Sequence, residues 1–234
     1  MDNNQPIVGI VGGIGPESTV DYYKGIISGY RLVKGADNYP RILINSINMT
    51  EMLDYFAATD YPSVTALLLN SIHELKSAGA HFAVIASNTP HVVFNMIEAQ
   101  SPIPLISIVE ATCQRAISLT LKKVLLIGTG FTMKSSFYKQ EFDHQNIALI
   151  VPPPEVQDII HHIIFPELED GIVIPEKKAQ LIALCNEIIA GEQCDGIVLG
   201  CTELPLMLSE RDFNIPVLNT TQIHVDAIVE RMIK

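Results

Sequence analysis

Two short segments hold the residues best suited to chemistry: Gly200-Cys201-Thr202-Glu203-Leu204-Pro205 and Ser87-Asn88-Thr89-Pro90-His91. Cys201 follows a glycine at the end of an apolar run and precedes what reads as the start of a helix. Amide dipoles there favour a thiolate over the ordinary thiol pKa of about 8.5. The position therefore predicts a proton acceptor or nucleophile. Ser87 closes the equivalent run, Phe82-Ala83-Val84-Ile85, and offers a hydroxyl in the corresponding place. The other cysteines, Cys113, Cys185 and Cys194, fall within helical or pre-strand apolar patterns and read as small buried hydrophobes. His91, one turn beyond Ser87, reads as a satisfied structural histidine. The pair His161-His162 reads as surface.

Runs such as Phe82-Ala83-Val84-Ile85 and Gly196-Ile197-Val198-Leu199 have the unbroken apolar character of parallel strands buried on both faces. Ligands of open α/β sheets bind beyond the carboxyl ends of such strands, so Ser87 and Cys201 are expected at facing strand tips. Residues 7–11 predict a first strand, and Gly12-Gly13-Ile14-Gly15-Pro16-Glu17-Ser18-Thr19 predicts a tight turn into a helix ending near residue 34. A dinucleotide fingerprint begun at Gly13 would need glycine at 18, where Ser18 stands. A second strand is expected at 41–47, then a loop through Asn48-Met49-Thr50. A helix from about Asp60 presents Val64, Leu67, Leu68, Ser71, Ile72 and Leu75 on one face and stops at Gly79. A fourth strand is expected at 103–107 and a helix at 109–119.

The pattern then restarts. Lys123-Val124-Leu125-Leu126-Ile127-Gly128-Thr129 repeats the first strand and turn. Tyr22 and Tyr138 are 116 positions apart, Ser87 and Cys201 are 114 apart, and Ile103-Pro104 and Ile215-Pro216 are 112 apart. Landmarks recurring in one order at nearly one spacing predict a duplication: two similar α/β half-domains, 1–108 and 109–234, each a four-stranded parallel sheet flanked by helices. The site is expected between them. The second half adds helices at 155–168, 176–190 and 221–232. Periodicity leaves open whether the last packs on its own half or on the first.

Composition removes several function classes. Of 234 residues, 15 are Lys or Arg and 26 are Asp or Glu, for a net charge of −11 that repels rather than gathers phosphate backbones, so no nucleic-acid partner is expected. The polar start through Gln5-Pro6 lacks the pattern of a signal peptide, and no apolar run reaches the roughly 18–20 residues that span a bilayer. A cytoplasmic location without membrane association is expected. The four cysteines form no CxxC pair and no zinc spacing, which predicts reduced thiols and no structural metal.

The Gly-Cys-Thr-Glu and Ser-Asn-Thr elements, with Gly12-Gly13-Ile14-Gly15-Pro16-Glu17-Ser18-Thr19 and Ile164-Phe165-Pro166-Glu167-Leu168, resemble the aspartate/glutamate racemase family over essentially the whole chain. The resemblance implies a homodimer that racemises a free amino acid without pyridoxal phosphate or another cofactor. Two opposed groups act at Cα, one removing its proton and the other returning one to the opposite face. Cys201 and Ser87 would be those groups. Asn88, Thr89, Thr202 and Glu203 would present amides and polar side chains to the substrate's α-carboxylate, with Thr129 and Ile14 contributing from the two glycine turns. Such a carbon acid is very weak, so it needs a close base, a poised acid and amide donors for the charge that builds on the carboxylate.

The chain departs from the family pattern twice. Ser87 stands where the first thiol is expected, and an unaided hydroxyl can donate a proton but cannot act as a base near neutral pH. This predicts an enzyme biased to one direction, with Cys201 taking the proton from the L enantiomer. The arginine and lysine that hold the distal carboxylate in aspartate racemases are also missing from Asn48-Met49-Thr50 and Glu169-Asp170-Gly171. Arg41, Lys134 and Lys177 are the candidate substitutes. Two alternatives fit the same residues: a single-cysteine decarboxylase of malonate-like acids, and a non-catalytic binder of amino acids or carboxylates.

Overall fold

The computed structural model describes residues 5–234, so the polar start at 1–4 lies outside the described residues. The chain falls into two units, one running through Ile108 and resuming at His224–Lys234, the other Val109–Ile223.

The first unit holds β1 (Ile7–Gly12), α1 (Pro16–Lys34), β2 (Arg41–Ser46), α2 (Met49–Ala57), α3 (Tyr61–Ser77), β3 (Phe82–Ile85), α4 (Phe94–Glu98) and β4 (Leu105–Ile106). All four strands are parallel, in the order β2-β1-β3-β4. β1 and β3 are buried at every residue, which accounts for their uninterrupted apolar sequence. Gly13 makes the turn out of β1 at φ +80°, where a Cβ would lie 2.6 Å from the Ile47 carbonyl oxygen; only glycine fits there. The segment expected as a loop after β2 is instead α2. Asn48 caps it by accepting a hydrogen bond from the Thr50 amide.

The second unit begins within α5 (Ile108–Ser118). It continues through β5 (Lys123–Ile127), α6 (Gly130–Lys134), α7 (Phe137–His144), β6 (Ala148–Ile150), α8 (Pro154–Ile163), α9 (Pro175–Glu192), β7 (Gly196–Leu199) and β8 (Val217–Asn219). Its sheet is again all parallel, in the order β6-β5-β7-β8, so the two sheets share one topology. The helix expected through residue 168 ends as α at Ile163. Phe165, preceding Pro166, takes the extended backbone (φ −102°, ψ 139°) that a proline imposes on its predecessor.

α10 (Thr220–Ile233) closes the chain, and its residues from His224 onward belong to the first unit. There Val225, Ile228, Val229 and Met232 join Val8, Ile10, Tyr22, Ile26 and Val84 in one apolar cluster. Gly25 and Gly29, a turn apart on α1, leave room for Val225 and Val229, which a Cβ at either glycine would meet at 3.2 and 3.0 Å.

Register then fixes the strand tips. Val11 pairs with Ile85, and the Ala86 amide still bonds to the Val11 carbonyl at 3.0 Å; Ile127 pairs with Leu199, and the Gly200 amide bonds to the Ile127 carbonyl at 2.7 Å. Ser87 and Cys201 are each the first residue past that final rung. No described helix is long and apolar enough to cross a membrane.

Candidate active site

In the first unit Ser87 is buried, yet its hydroxyl has no hydrogen-bond partner among the described residues. It therefore does not cap the 3₁₀ turn Thr89–Val93 just beyond it. Asn88 is buried and Thr89 half-buried beside it. Ile14 lies in the apolar cluster with Val11, Met52 and Ile85. His91 fixes the backbone. Its Nδ1–H donates to the Ser87 carbonyl at 2.9 Å, its Nε2 accepts from the Ile108 amide at 3.3 Å, and its ring stacks on Phe94 at 5.0 Å. Burial, then the nearby His224, pushes His91 down to about 3, so the ring is neutral and structural.

In the second unit a different arrangement surrounds Cys201. The thiol is buried and donates to Oε2 of Glu203 at 2.9 Å, while the Thr202 hydroxyl donates to the same oxygen at 2.8 Å. Glu203 itself is only 4% exposed. Burial first, then the Glu203 charge, raises the thiol pKa well above its ordinary value. This corrects the expectation of a dipole-stabilised thiolate. The chain past Cys201 forms only a 3₁₀ turn, Leu204–Leu206, too short to supply a helix dipole. The sulfur is a protonated thiol held on a carboxylate.

A third group joins it that the sequence pattern did not single out as a site residue. Glu169, half-buried just beyond the turn at 164–168, brings a carboxylate oxygen within 4.8 Å of both the Cys201 sulfur and a Glu203 oxygen. Burial, then the Glu203 and Asp170 charges, pushes its carboxyl up to about 7. These three side chains are the grouping among the described residues whose donor atoms converge closely enough to hold a cation.

Thr129 caps α6, its hydroxyl oxygen accepting from the Thr132 amide at 3.3 Å. His161 departs from the surface role expected of it. It is half-buried against Phe165, and its Nδ1 accepts from the Gly130 amide at 3.5 Å, whereas His162 is exposed. The candidate cations are committed or remote. Lys134 pairs with Asp158 at 3.0 Å and Lys177 with Glu167 at 2.8 Å. Arg41 opens β2 at the amino end, one six-residue strand, or roughly 17 Å, from the tip at Ser46. Cys113 and Cys185 are buried free thiols, each pushed up to about 12 by burial, and Cys194 is raised by the same cause.

Comparison with known proteins bears on the whole chain. Residues 11–228 match the family described as Asp/Glu/Hydantoin racemase. The broad specificity amino-acid racemase RacX of Bacillus subtilis is 25% identical over 218 residues, 92% of this chain and 93% of that protein. A candidate Asp/Glu racemase from Yersinia pestis superposes with a TM-score of 0.91 at 30% identity, covering 98% of this chain and 100% of the other. An aspartate racemase homologue from Pyrococcus horikoshii gives a TM-score of 0.86 at 32% identity, covering 97% and 99%.

Proposed function

The chain belongs to the Asp/Glu/hydantoin racemase family, and from that premise we propose that it racemises a free amino acid, with Cys201 as the base at Cα and Glu203 as the base for Cys201. The hydrogen bond from the Cys201 thiol to the Glu203 carboxylate carries this proposal.

A thiol is not itself a base, and burial makes this one reluctant to ionise. Glu203 supplies the remedy: its carboxylate takes the S–H proton as the sulfur turns to the substrate. A buried thiolate that costs more to form is correspondingly stronger toward a weak carbon acid. Sulfur then removes the Cα proton, and the electron pair delocalises into the α-carboxylate, where amide donors at the strand-tip turns answer the charge. Ser87, or a water on it, gives a proton to the opposite face; solvent then restores the hydroxyl and takes up the proton held by Glu203. The reverse direction would need a Ser87 alkoxide. No partner beside that hydroxyl among the described residues could take its proton, so solvent exchange at Cα should be faster from one enantiomer, L by the family resemblance.

Cα exchange in heavy water across an amino-acid panel tests this reading. The parent should exchange at least one amino acid, and Cys201→Ser should lose about 10²-fold or more of that rate. Exchange that survives in Cys201→Ser rules the sulfur out as the base. Binding seen as thermal stabilisation, with no exchange in the parent, would point to a non-catalytic binder. Decarboxylation of a malonate-like acid also needs only one thiol. It is disfavoured because a dianion would have to sit against Glu169 and Glu203.

A further inference from the structure

No described cation pairs with either carboxyl group beside the Cys201 thiol. Both hydrogen bonds to the Glu203 side chain go to Oε2. Its Oε1 accepts none among the described residues, although the residue is 4% exposed. That oxygen is not sealed from solvent, so a water or a donor on a ligand can reach it. Glu169 places a second carboxylate within 4.8 Å of the same atoms and takes part in no ion pair among the described residues. Lys134 and Lys177 are committed to Asp158 and Glu167.

A substrate with its Cα against the Cys201 sulfur has its other substituents a few ångströms from these oxygens. A carboxylate turned toward Glu169 would meet like charges, whereas an ammonium would meet its counter-charge and a charge-assisted hydrogen bond. Resting on the racemase reading above, we infer that Glu169 is a substrate-recognition residue that receives an ammonium group of the amino acid and so disfavours amino acids with an anionic side chain. That ammonium has two sources: the α-amino group of every amino acid, and the terminal group of a basic one. Half-buried Glu169 is the more accessible member of the cluster, with Cys201 and Glu203 buried beside it, so an entering cation reaches it readily. Near pH 7 it would bind that cation as the carboxylate, which the cation's own charge stabilises.

Calorimetric titration of the full-length chain at pH 8 with L-lysine, L-norleucine and L-aspartate separates the cases. The parent should bind lysine more tightly than aspartate, and Glu169→Gln should weaken lysine by about tenfold or more, the worth of one hydrogen bond between charged groups. Loss for lysine alone assigns the side-chain ammonium, and equal loss for lysine and norleucine assigns the α-amino group. Glu169→Lys should turn the preference toward aspartate, and Glu169→Asp, which keeps the charge, should restore part of the lysine affinity. Unchanged lysine and norleucine binding in Glu169→Gln overturns the inference. So does a parent that binds aspartate as tightly as lysine, or none of the three. Deuterium exchange at Cα in the same samples judges the racemase reading separately, because binding can follow Glu169 whether or not exchange occurs.

Discussion

The tip of β3 and the tip of β7 occupy the same place in two sheets of the same topology. Each continues the ladder by one backbone bond, Ala86 to Val11 and Gly200 to Ile127, and each then presents one small polar side chain. Beyond that they diverge. At the β3 tip the nearby polar residue is a neutral His91 that holds the Ser87 carbonyl and leaves the hydroxyl alone. At the β7 tip the nearby polar residue is a carboxylate that holds the Cys201 sulfur itself. The fold repeats a position and the side chains differ: one tip sets a carboxylate on its sulfur, and the other leaves its hydroxyl without a side-chain partner among the described residues, which in the proposed reaction makes the first a base and the second only a proton donor.

The sharpest way to break this contrast is to disarm the β7 tip. Glu203→Gln keeps the shape and removes the proton acceptor, so Cα exchange should fall by about 10²-fold while the fold is retained. An unchanged rate would show that Glu203 is a structural partner only. The converse change arms the β3 tip with a thiol. Ser87→Cys should raise exchange from the slower enantiomer by about tenfold or more within the range typical of general acid–base catalysis, narrowing the gap between the two enantiomers. A gap left as wide as in the parent would count against the hydroxyl as its cause.

A smaller difference separates the units in acid. His91 and His224 both lie in the first unit. Burial leads in lowering both, to about 3 and about 4, against an unfolded value near 6.5. A histidine held neutral contributes stability that is complete above 6.5 and is lost as pH falls toward 4, because the unfolded chain takes up the proton first. Tm should therefore drop between pH 7 and pH 4.5. His224→Asn should flatten part of that slope, and a parent profile flat over the range would contradict the assignment. Smallest of all, Lys177→Met removes a half-exposed pair with Glu167 and should cost under about 1 kcal/mol, with substrate affinity unchanged. A large rise in KM would instead place Lys177 at the substrate.

The central strands were legible because burial on both faces leaves an unbroken apolar run, as in β1, β3, β5 and β7. The repeat and the placement of Ser87 and Cys201 at strand ends came from them. β4 was expected at 103–107 and pairs only at Leu105–Ile106, whereas β6, three residues long, is too short to carry a periodic signal and tertiary pairing alone defines it. α2 was legible in principle. Asn48 with Glu51 three residues on has the spacing of an N-terminal cap, but the adjoining polar residues read as a loop. The pairing of Cys201 with Glu203 spans two residues of sequence, yet the sequence does not say which way a buried glutamate turns. Glu169 was hidden for another reason: the backbone break at Phe165 determines where the carboxylate ends up, and no periodicity passes through such a break.

Deuterium wash-in at Cα, monitored separately from pure L and pure D enantiomer of a substrate that exchanges, addresses the single-base account most directly. Label should enter from the L enantiomer at least about tenfold faster, as expected when only one face of the carbon meets a competent base. Equal entry from both enantiomers would contradict it.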